Sequence, residues 1–261
     1  MADKSSGSRL AALFQRFRGG PRHDEAGDDA TLDRSTQRIG PYRVIEKLGQ
    51  GGMGIVFSAL DERLGRSLAI KVIRGEGADD SAARRFWREA RAAAAVNHPN
   101  ICQVYEVGEH DGQLFIAMEL LEGESLHERL ERGALPVKEA VPAALGILSA
   151  LEALHGRGVV HRDLKPSNVF LTEHGVKLLD FGLARPVAAS DAAEDASGDL
   201  TRPGMLVGTP RYMAPEQVDG TELGPATDVF AAGALLFEML AGRPAFEGQG
   251  LAQILHGVLH E

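Results

Sequence analysis

The octapeptide HRDLKPSN at residues 161–168 is the stretch that says most about the fold and the chemistry of this chain. It places Asp163, Lys165 and Asn168 in one short loop after a predicted helix. Asp163 can accept a hydroxyl proton, Lys165 can neutralise charge on a transferring phosphoryl group, and Asn168 can bind a cation through its amide oxygen. Twelve residues after Asn168, the tripeptide DFG begins at Asp180 and adds a second hard oxygen ligand suited to Mg²⁺. Each piece alone could be an ordinary polar loop, but all of them in this order, with a glycine-rich segment and Lys71 upstream, are very unlikely by chance.

Upstream, the segment GQGGMGIV at residues 49–56 joins two predicted strands. Its glycines let the backbone approach a polyphosphate and point N–H groups at it. A dinucleotide-binding fold would need a helix directly after the glycines, whereas a strand follows here. A glycine-rich hairpin without a ligand is the remaining alternative.

A lysine in an apolar strand is the next candidate. Lys71 ends the sequence AIK, and Glu89 lies on the predicted helix that follows. An outward-facing lysine and a solvated glutamate are the alternative interpretation. We favour an ion pair between them, because the other motifs point to a site that needs one.

Hydrophobic patterning predicts an α+β fold with a strand-rich lobe before a helix-rich lobe, which leaves a cleft suited to a ligand. The first lobe combines an antiparallel sheet with one helix. Its strands are predicted at residues 42–48, 55–60, 67–73, 101–107 and 114–118, and its helix at 81–96. Beyond residue 123 the predicted helices are 125–132, 137–156, 227–241 and 251–260, with short strands at 169–171 and 176–179. Pro142 inside the second of these helices predicts a kink or a late start.

Composition excludes several classes of protein. The 261 residues carry a net charge of −9, which argues against nucleic acid as the main partner. Cys102 is the only cysteine, so an intrachain disulfide or a zinc cluster is excluded. There is no apolar run of bilayer-spanning length and no apolar core of a secretory signal near Met1, which predicts a cytoplasmic location.

Residues 1–40 differ in composition from the rest and are predicted to be a disordered leader. Within them, apolar residues recur at helical spacing among arginines over residues 9–18. One interpretation is a basic amphipathic helix that touches an anionic membrane or a partner. We favour the other, a fraying tail, because so short a helix is marginal alone.

The complete set of motifs resembles the protein kinase superfamily, and most closely its bacterial eukaryotic-like (Hanks-type) serine/threonine kinases. Further matches are GTPRY at 208–212, MAPE at 213–216, DVF at 228–230 and GRPAF at 242–246. The form GGMG and the stretch from FWREA at 86–90 to NHPN at 97–100 look like the bacterial branch. The resemblance covers about residues 40–256. It implies a first lobe at 41–118, a hinge at 119–123 and a second lobe at 124–261.

The resemblance also implies roles for individual residues, with ATP and Mg²⁺ as cofactors and Ser/Thr hydroxyls of proteins as acceptors. Asp163 would be the catalytic base, and Lys165 would steady the γ-phosphate. Lys71 would bind the α- and β-phosphates and pair with Glu89. Residues implied to surround the nucleotide are Gly49, Gly51, Gly54, Val56, Ala69, Met118, Glu119, Leu121 and Phe170; those implied to bind the metal are Asn168 and Asp180; those implied in the activation loop and substrate platform are Thr201, Thr209 and Glu216.

Two other functions are weighed against this one. A small-molecule kinase of the same superfamily is disfavoured by the GTPRY and MAPE segments, which receive a peptide. A pseudokinase or scaffold is disfavoured by the intact Lys71, Asp163, Asn168 and Asp180.

Relatives also continue for several helices beyond GRPAF, so the resemblance implies a kinase domain without its last helices. We therefore expect exposed apolar side chains on helix 227–241, and a weakly active, poorly stable or self-associating chain. A nucleotide-binding or scaffold module, with dimerisation, is the alternative outcome.

Overall fold

The computed structural model describes residues 37–51, 54–73, 87, 94–180 and 209–261. Residues 1–36 of the predicted leader and most of the predicted helix 81–96 lie outside this part of the chain, although Trp87 and Ala94 are helical. The last residues of the predicted leader are described, and there Arg38–Ile39 form a strand in which Ile39 is buried. The described residues fall into two compact units. One contains residues 37–51, 54–73 and 108–117, and the other contains residues 87, 94–107, 118–180 and 209–261.

The first unit is built on an antiparallel sheet, as predicted. Its strands are β1 (Arg38–Ile39), β2 (Tyr42–Gly51), β3 (Gly54–Asp61), β4 (Arg66–Ile73), β5 (Val104–His110) and β6 (Gln113–Met118), in the order β1-β2-β3-β4-β6-β5. Tyr42, Leu68, Ile70 and Phe115 fill the core on one side of the sheet. The Tyr42 and Phe115 rings meet edge to face, with centroids 6.2 Å apart.

The second unit carries the remaining elements. They are β7 (Glu124–Ser125), α1 (Leu126–Leu130), α2 (Val137–His155), β8 (Val169–Thr172), β9 (Gly175–Leu178), α3 (Pro215–Asp219), α4 (Pro225–Ala241) and α5 (Leu251–His260), with 3₁₀ turns at Pro166–Asn168 and Thr209–Tyr212. Strands β7, β8 and β9 form an antiparallel sheet. Helix α2 packs against both α4 and β9.

Three of the predicted helix bounds are informative. Helix α5 coincides with its prediction, and α1 is shorter than predicted, beginning after a capping box between Ser125 and Glu128. Helix α2 begins at Val137 and runs on through Pro142, so the alternative of a late start is wrong. Proline removes one intrahelical hydrogen-bond donor at that position, and packing of α2 against α4 and β9 can offset this cost.

The strand predicted at 101–107 is wrong in its first half, because β5 begins only at Val104. Ile101 instead forms a parallel bridge with Leu178. The Cys102 N–H donates to the Leu178 carbonyl at 2.9 Å, and the Leu178 N–H donates to the Asn100 carbonyl at 2.8 Å. The backbone around Ile101 therefore pairs with the end of β9 rather than continuing β5.

Candidate active site

The loop at 161–168 is held in place by one buried carboxylate on α4. Asp228 accepts hydrogen bonds from the backbone N–H groups of His161 at 2.8 Å and Arg162 at 2.9 Å. His155, at the end of α2, places its Nε2 2.7 Å from the same carboxylate. Asp228 is only 1% exposed, so these partners offset the cost of burying its charge. The DVF motif thus contains the anchor of the loop.

His161 is fully enclosed and bridges the loop to the end of β9. Its Nε2 lies 3.0 Å from the Leu179 carbonyl, and its Nδ1 lies 3.4 Å from the Asp163 backbone nitrogen. A carbonyl only accepts and a backbone N–H only donates, so the proton sits on Nε2. Burial lowers the pKa of His161, which keeps the ring neutral in this role.

Asp163, Lys165 and Asn168 come together, as the sequence predicts. Lys165 Nζ lies 2.7 Å from Asp163 Oδ2. Asn168 Nδ2 donates to the Asp163 carbonyl at 2.8 Å and to Asp163 Oδ2 at 3.2 Å. The Asp163 and Lys165 side chains keep 23% and 20% of their surface exposed. The carboxylate is therefore fixed by two donors and remains partly exposed.

Asn168 and Asp180 are the two metal-ligand candidates. The Leu179 N–H donates to the Asn168 carbonyl at 2.9 Å, so Asp180 follows directly on a residue bound to Asn168. Asn168 commits its amide nitrogen to Asp163, which leaves its amide oxygen as the atom for a cation. One amide oxygen and one carboxylate fit Mg²⁺, because this ion keeps several waters and binds substrate phosphates rather than an all-protein cage. The described residues contain no group of three or more His, Cys, Asp or Glu suited to a metal ion.

Glu119, the first residue of the hinge predicted at 119–123, forms hydrogen bonds through both its backbone and its side chain. The Glu119 N–H donates to the Gln103 carbonyl at 2.9 Å. Its carboxylate lies 2.7 Å from Lys177 Nζ and accepts the Gln103 N–H at 3.2 Å. The Glu119 N–H is thus engaged within the protein, and the Cys102 thiol approaches the Glu119 carbonyl, with Sγ 3.7 Å from the oxygen. Burial raises the pKa of Cys102 to about 12, so the thiol stays protonated.

The end of the hinge approaches β8 closely. A Cβ at Gly123, where φ is +142°, would lie 1.9 Å from the Leu171 carbonyl oxygen. Only glycine allows this approach. Of the other residues assigned to adenine, Phe170 is buried, and Met118 and Leu121 are half-buried.

The first unit carries the glycine-rich segment on β2 and β3, and Gly52 and Met53 lie outside the described residues. A Cβ built on Gly49 or Gly51 would meet nothing within 4 Å, which leaves room for a ligand. At Gly54, φ is +150° and a Cβ would lie 2.0 Å from the Val72 carbonyl oxygen. Gly54 is thus required by the sheet itself, whereas the other two leave a surface that a phosphate can approach.

Val56, Ala69 and Lys71 share one face of this sheet. Val56 is paired directly with Lys71, and Ala69 lies two residues before Lys71 on the same strand. Lys71 is 6% exposed, so the alternative of an outward-facing, solvated lysine is wrong. Its predicted partner Glu89 lies outside the described residues.

The predicted substrate platform is tied to α4. Tyr212 donates its hydroxyl to Glu238 at 2.6 Å, and burial, aided by this bond, raises the pKa of Tyr212. Glu216 Oε1 accepts the Thr227 hydroxyl at 2.7 Å. Thr201 and the side chain of Thr209 lie outside what the structure describes.

Reasoning from the sequence assigned no role to Asp228, His155, Lys177 or Gln217. The DVF motif was a signal for Asp228, although it gave no indication of the contacts. Gln217 directly follows MAPE, and its side chain reaches the Arg162 carbonyl at 2.8 Å.

Comparison with known proteins identifies the family. The family model for the protein kinase domain matches residues 42–261, so the chain belongs to the protein kinase family. Its relatives are serine/threonine kinases of bacteria, as the motifs indicated. The probable serine/threonine-protein kinase PknB of Bifidobacterium longum is 39% identical over 229 residues, covering 83% of this chain and 32% of the relative. The serine/threonine-protein kinase pkn2 of Myxococcus xanthus is 39% identical over 228 residues, covering 85% of this chain and 26% of the relative.

Solved structures agree with this assignment. The kinase domain of Mycobacterium tuberculosis PknI is 31% identical, with a TM-score of 0.66 over 82% of this chain and 80% of that domain. The predicted two-lobed α+β kinase fold is therefore confirmed. The chain spans about a third or less of the length of the two curated relatives named above.

Proposed function

We propose that this chain transfers the γ-phosphate of ATP to serine and threonine hydroxyls of proteins, including its own, in signal transduction. The observation that carries the proposal is the Asp163 carboxylate, held at 2.7 Å by Lys165 and at 3.2 Å by Asn168. This is an acceptor for one proton with a cation beside it, which is what transfer of a phosphoryl group to a hydroxyl requires.

In the proposed reaction, the acceptor oxygen forms a bond to the γ-phosphorus, while the bond from that phosphorus to the β-γ bridging oxygen breaks and ADP leaves. Asp163 takes the proton from the acceptor hydroxyl. Lys165 neutralises charge on the transferring group. Lys71 holds the α- and β-phosphates, and the described glycines Gly49 and Gly51 leave the backbone open to them. Mg²⁺, bound by Asn168 and Asp180, would neutralise the phosphate oxygens.

Most of the rate enhancement would come from placement. Aligning two reactants can contribute roughly 7–11 kcal/mol of barrier reduction, and one well-placed electrostatic group about 2.7–4 kcal/mol. The hydrogen bonds of Asp228 to the loop thus serve catalysis by fixing where Asp163 stands.

The test is transfer of radiolabel from γ-labelled ATP to the chain and to a protein acceptor. Lys71→Met and Asp163→Asn should each abolish transfer while thermal unfolding stays cooperative, because both side chains act electrostatically. Wild-type rates in a pure Asp163→Asn sample would refute the assignment. ATP binding without turnover by the wild-type chain would favour the alternative of a nucleotide-binding or scaffold module.

Regulation by phosphorylation is a further part of the proposal. Arg162, just before Asp163, would pair with a phosphate on Thr201. Phosphate adds about −1.5 to −2 charge and can order a loop through arginine pairs. Mass spectrometry of active protein should find the modified Thr201, and full activity in Thr201→Ala would contradict this role.

The setting of the enzyme is proposed from composition and family. We place it in the cytoplasm, with proteins rather than nucleic acid as substrates. Among the described residues, no helix combines the length and apolar character needed to cross a membrane. Contact of residues 9–18 with a membrane or partner, and dimerisation, remain predictions.

A further inference from the structure

Gln217 joins the segment that would receive the substrate to the loop that carries Asp163. Its Oε1 accepts the Ala214 N–H at 3.0 Å, which caps the start of α3. Its Nε2 donates to the Arg162 carbonyl at 2.8 Å. One partner only donates and the other only accepts, so the orientation of the amide is fixed by its surroundings.

The carbonyl that Gln217 binds belongs to the peptide group between Arg162 and Asp163. The N–H of that same peptide group faces His161 Nδ1 at 3.4 Å. The peptide plane that leads into Asp163 is therefore held at both ends. Its orientation sets the direction in which the Asp163 side chain leaves the backbone.

This peptide needs such support because of the conformation of Arg162. Its φ is +66°, in the left-handed region that a non-glycine residue rarely adopts. Rotation of Arg162 toward an ordinary conformation would turn its carbonyl and the Asp163 N–H away from their partners. The Arg162 N–H is fixed by Asp228 at 2.9 Å, so only the carbonyl side depends on Gln217.

We infer that Gln217 is a positioning residue for Asp163 and couples the placement of the MAPE segment to that of the catalytic carboxylate. It acts through the Arg162 carbonyl. The catalytic part of this inference rests on the proposed kinase activity, whereas the positioning itself can be measured without it.

Two substitutions separate this role from helix capping. Gln217→Glu keeps an oxygen for the Ala214 N–H but has no donor for the Arg162 carbonyl. Gln217→Met has a similar length and removes both contacts. Because glutamate also adds a charge, it is made together with Asp219→Asn, an exposed carboxylate at the end of α3, and compared with Asp219→Asn alone.

We expect kcat to fall on the order of tenfold in Gln217→Met and in the Gln217→Glu/Asp219→Asn double variant, since small misplacements of reacting groups are costly. KM for ATP should change by less than about twofold, because the nucleotide contacts are untouched. Because the double variant loses one hydrogen bond, its melting temperature should lie at most about 4 °C below that of Asp219→Asn, and kcat is compared well below both melting temperatures. A kcat equal to that of Asp219→Asn under those conditions, or a fall in kcat explained by unfolded protein at the assay temperature, would overturn the inference.

Amide hydrogen exchange provides the readout that is independent of activity. In the double variant the Asp163 amide should exchange on the order of tenfold faster, in line with loss of one hydrogen bond. The Ala214 amide should stay protected, because glutamate still accepts from it. Unchanged exchange at Asp163 would refute the positioning role, whereas faster exchange in a chain without phosphoryl transfer would refute only the proposed function.

Discussion

Removing the Asp228 carboxylate should destabilise the second unit more than removing any exposed acid. Asp228 accepts three hydrogen bonds, from the His161 and Arg162 backbones and from His155. Its carboxylate is almost fully enclosed, so water cannot readily replace it. Two substitutions, Asp228→Asn and Asp228→Ala, remove different numbers of these bonds.

The number of hydrogen bonds lost determines how far each substitution should lower the free energy of unfolding. Hydrogen bonds to a charged group contribute about 1.5–3 kcal/mol each. In Asp228→Asn, the amide nitrogen must face at least one N–H donor, so the loss should be at least one bond, or about 1.5–3 kcal/mol. Asp228→Ala loses all three, and simple addition gives about 4.5–9 kcal/mol. Relaxation of the loop and entry of water reduce this, and we expect about 4 kcal/mol, a large share of a typical total of about 5–15 kcal/mol.

Urea unfolding followed by far-UV circular dichroism measures these values, with Asp219→Asn as the control for loss of an exposed carboxylate. The control should change the free energy of unfolding by less than about 0.5 kcal/mol. Activity of Asp228→Asn should also fall, because the Arg162 backbone loses its orientation. If Asp228→Ala lowers the free energy of unfolding by less than about 1 kcal/mol, the three hydrogen bonds of Asp228 do not stabilise the fold as reasoned above.

Three further predictions follow from single features. The pKa of His161 is lowered by burial from about 6.5, so the unfolded chain binds more protons below that pH and stability should decline as pH falls through about 6.5. His161→Asn should flatten this decline in pH-dependent urea unfolding, and an unchanged slope would contradict it. Gly54→Ala should lower the melting temperature, because its Cβ would overlap the Val72 carbonyl oxygen. Gly49→Ala should leave the melting temperature unchanged and raise KM for ATP. If the two variants melt at the same temperature, the overlap at Gly54 is relieved without cost. Leu145 on α2 and Phe237 on α4 are exposed apolar side chains, so we expect the chain to self-associate. Sedimentation velocity should show this association, and it should weaken in the double variant Leu145→Ser/Phe237→Ser. A wild-type chain that stays monomeric would refute this prediction.

The expected apolar surface on the helix predicted at 227–241 is present. Val229, Phe237 and Leu240 on α4 are exposed, while Leu235 and Met239 on the other side of the helix are buried. The sequence of this helix is apolar on nearly all sides. The sequence alone therefore does not distinguish a helix that is buried all round from one that is buried on one side only. The effects of this surface on stability and turnover remain predictions.

Local pattern predicted the elements better than it predicted their ends. Alternating and helical periodicities placed the longer strands and helices, since these patterns reflect which face is buried. The short elements β1, β7 and α3 were not predicted, because two to five residues are too few to show a period. The strand at 101–107 failed because its first residues pair with β9, far away in sequence. Apolar residues look the same in either pairing.

The same distinction applies to the site. Asp163, Lys165 and Asn168 lie within six residues of one another, so their grouping could be predicted from spacing alone. The bond from His161 to Asp228 spans 67 residues, and that from Gln217 to Arg162 spans 55. Both join a side chain to a backbone group. A backbone group is present at every residue and leaves no mark in the sequence, so these contacts had no signal to detect.

The two left-handed residues of the site differ in what they need from the rest of the fold. Asp180 has a φ of +54°, but aspartate tolerates this region better than most residues. Arg162 lacks that tolerance, and its left-handed conformation costs roughly 1–2 kcal/mol. The hydrogen bond that its N–H donates to Asp228 and the one that its carbonyl accepts from Gln217 can offset that cost. Since both partners come from the region after residue 209, the geometry of Asp163 depends on the correct placement of α3 and α4. A change that shifts either helix should therefore reduce catalysis without altering any residue that contacts ATP.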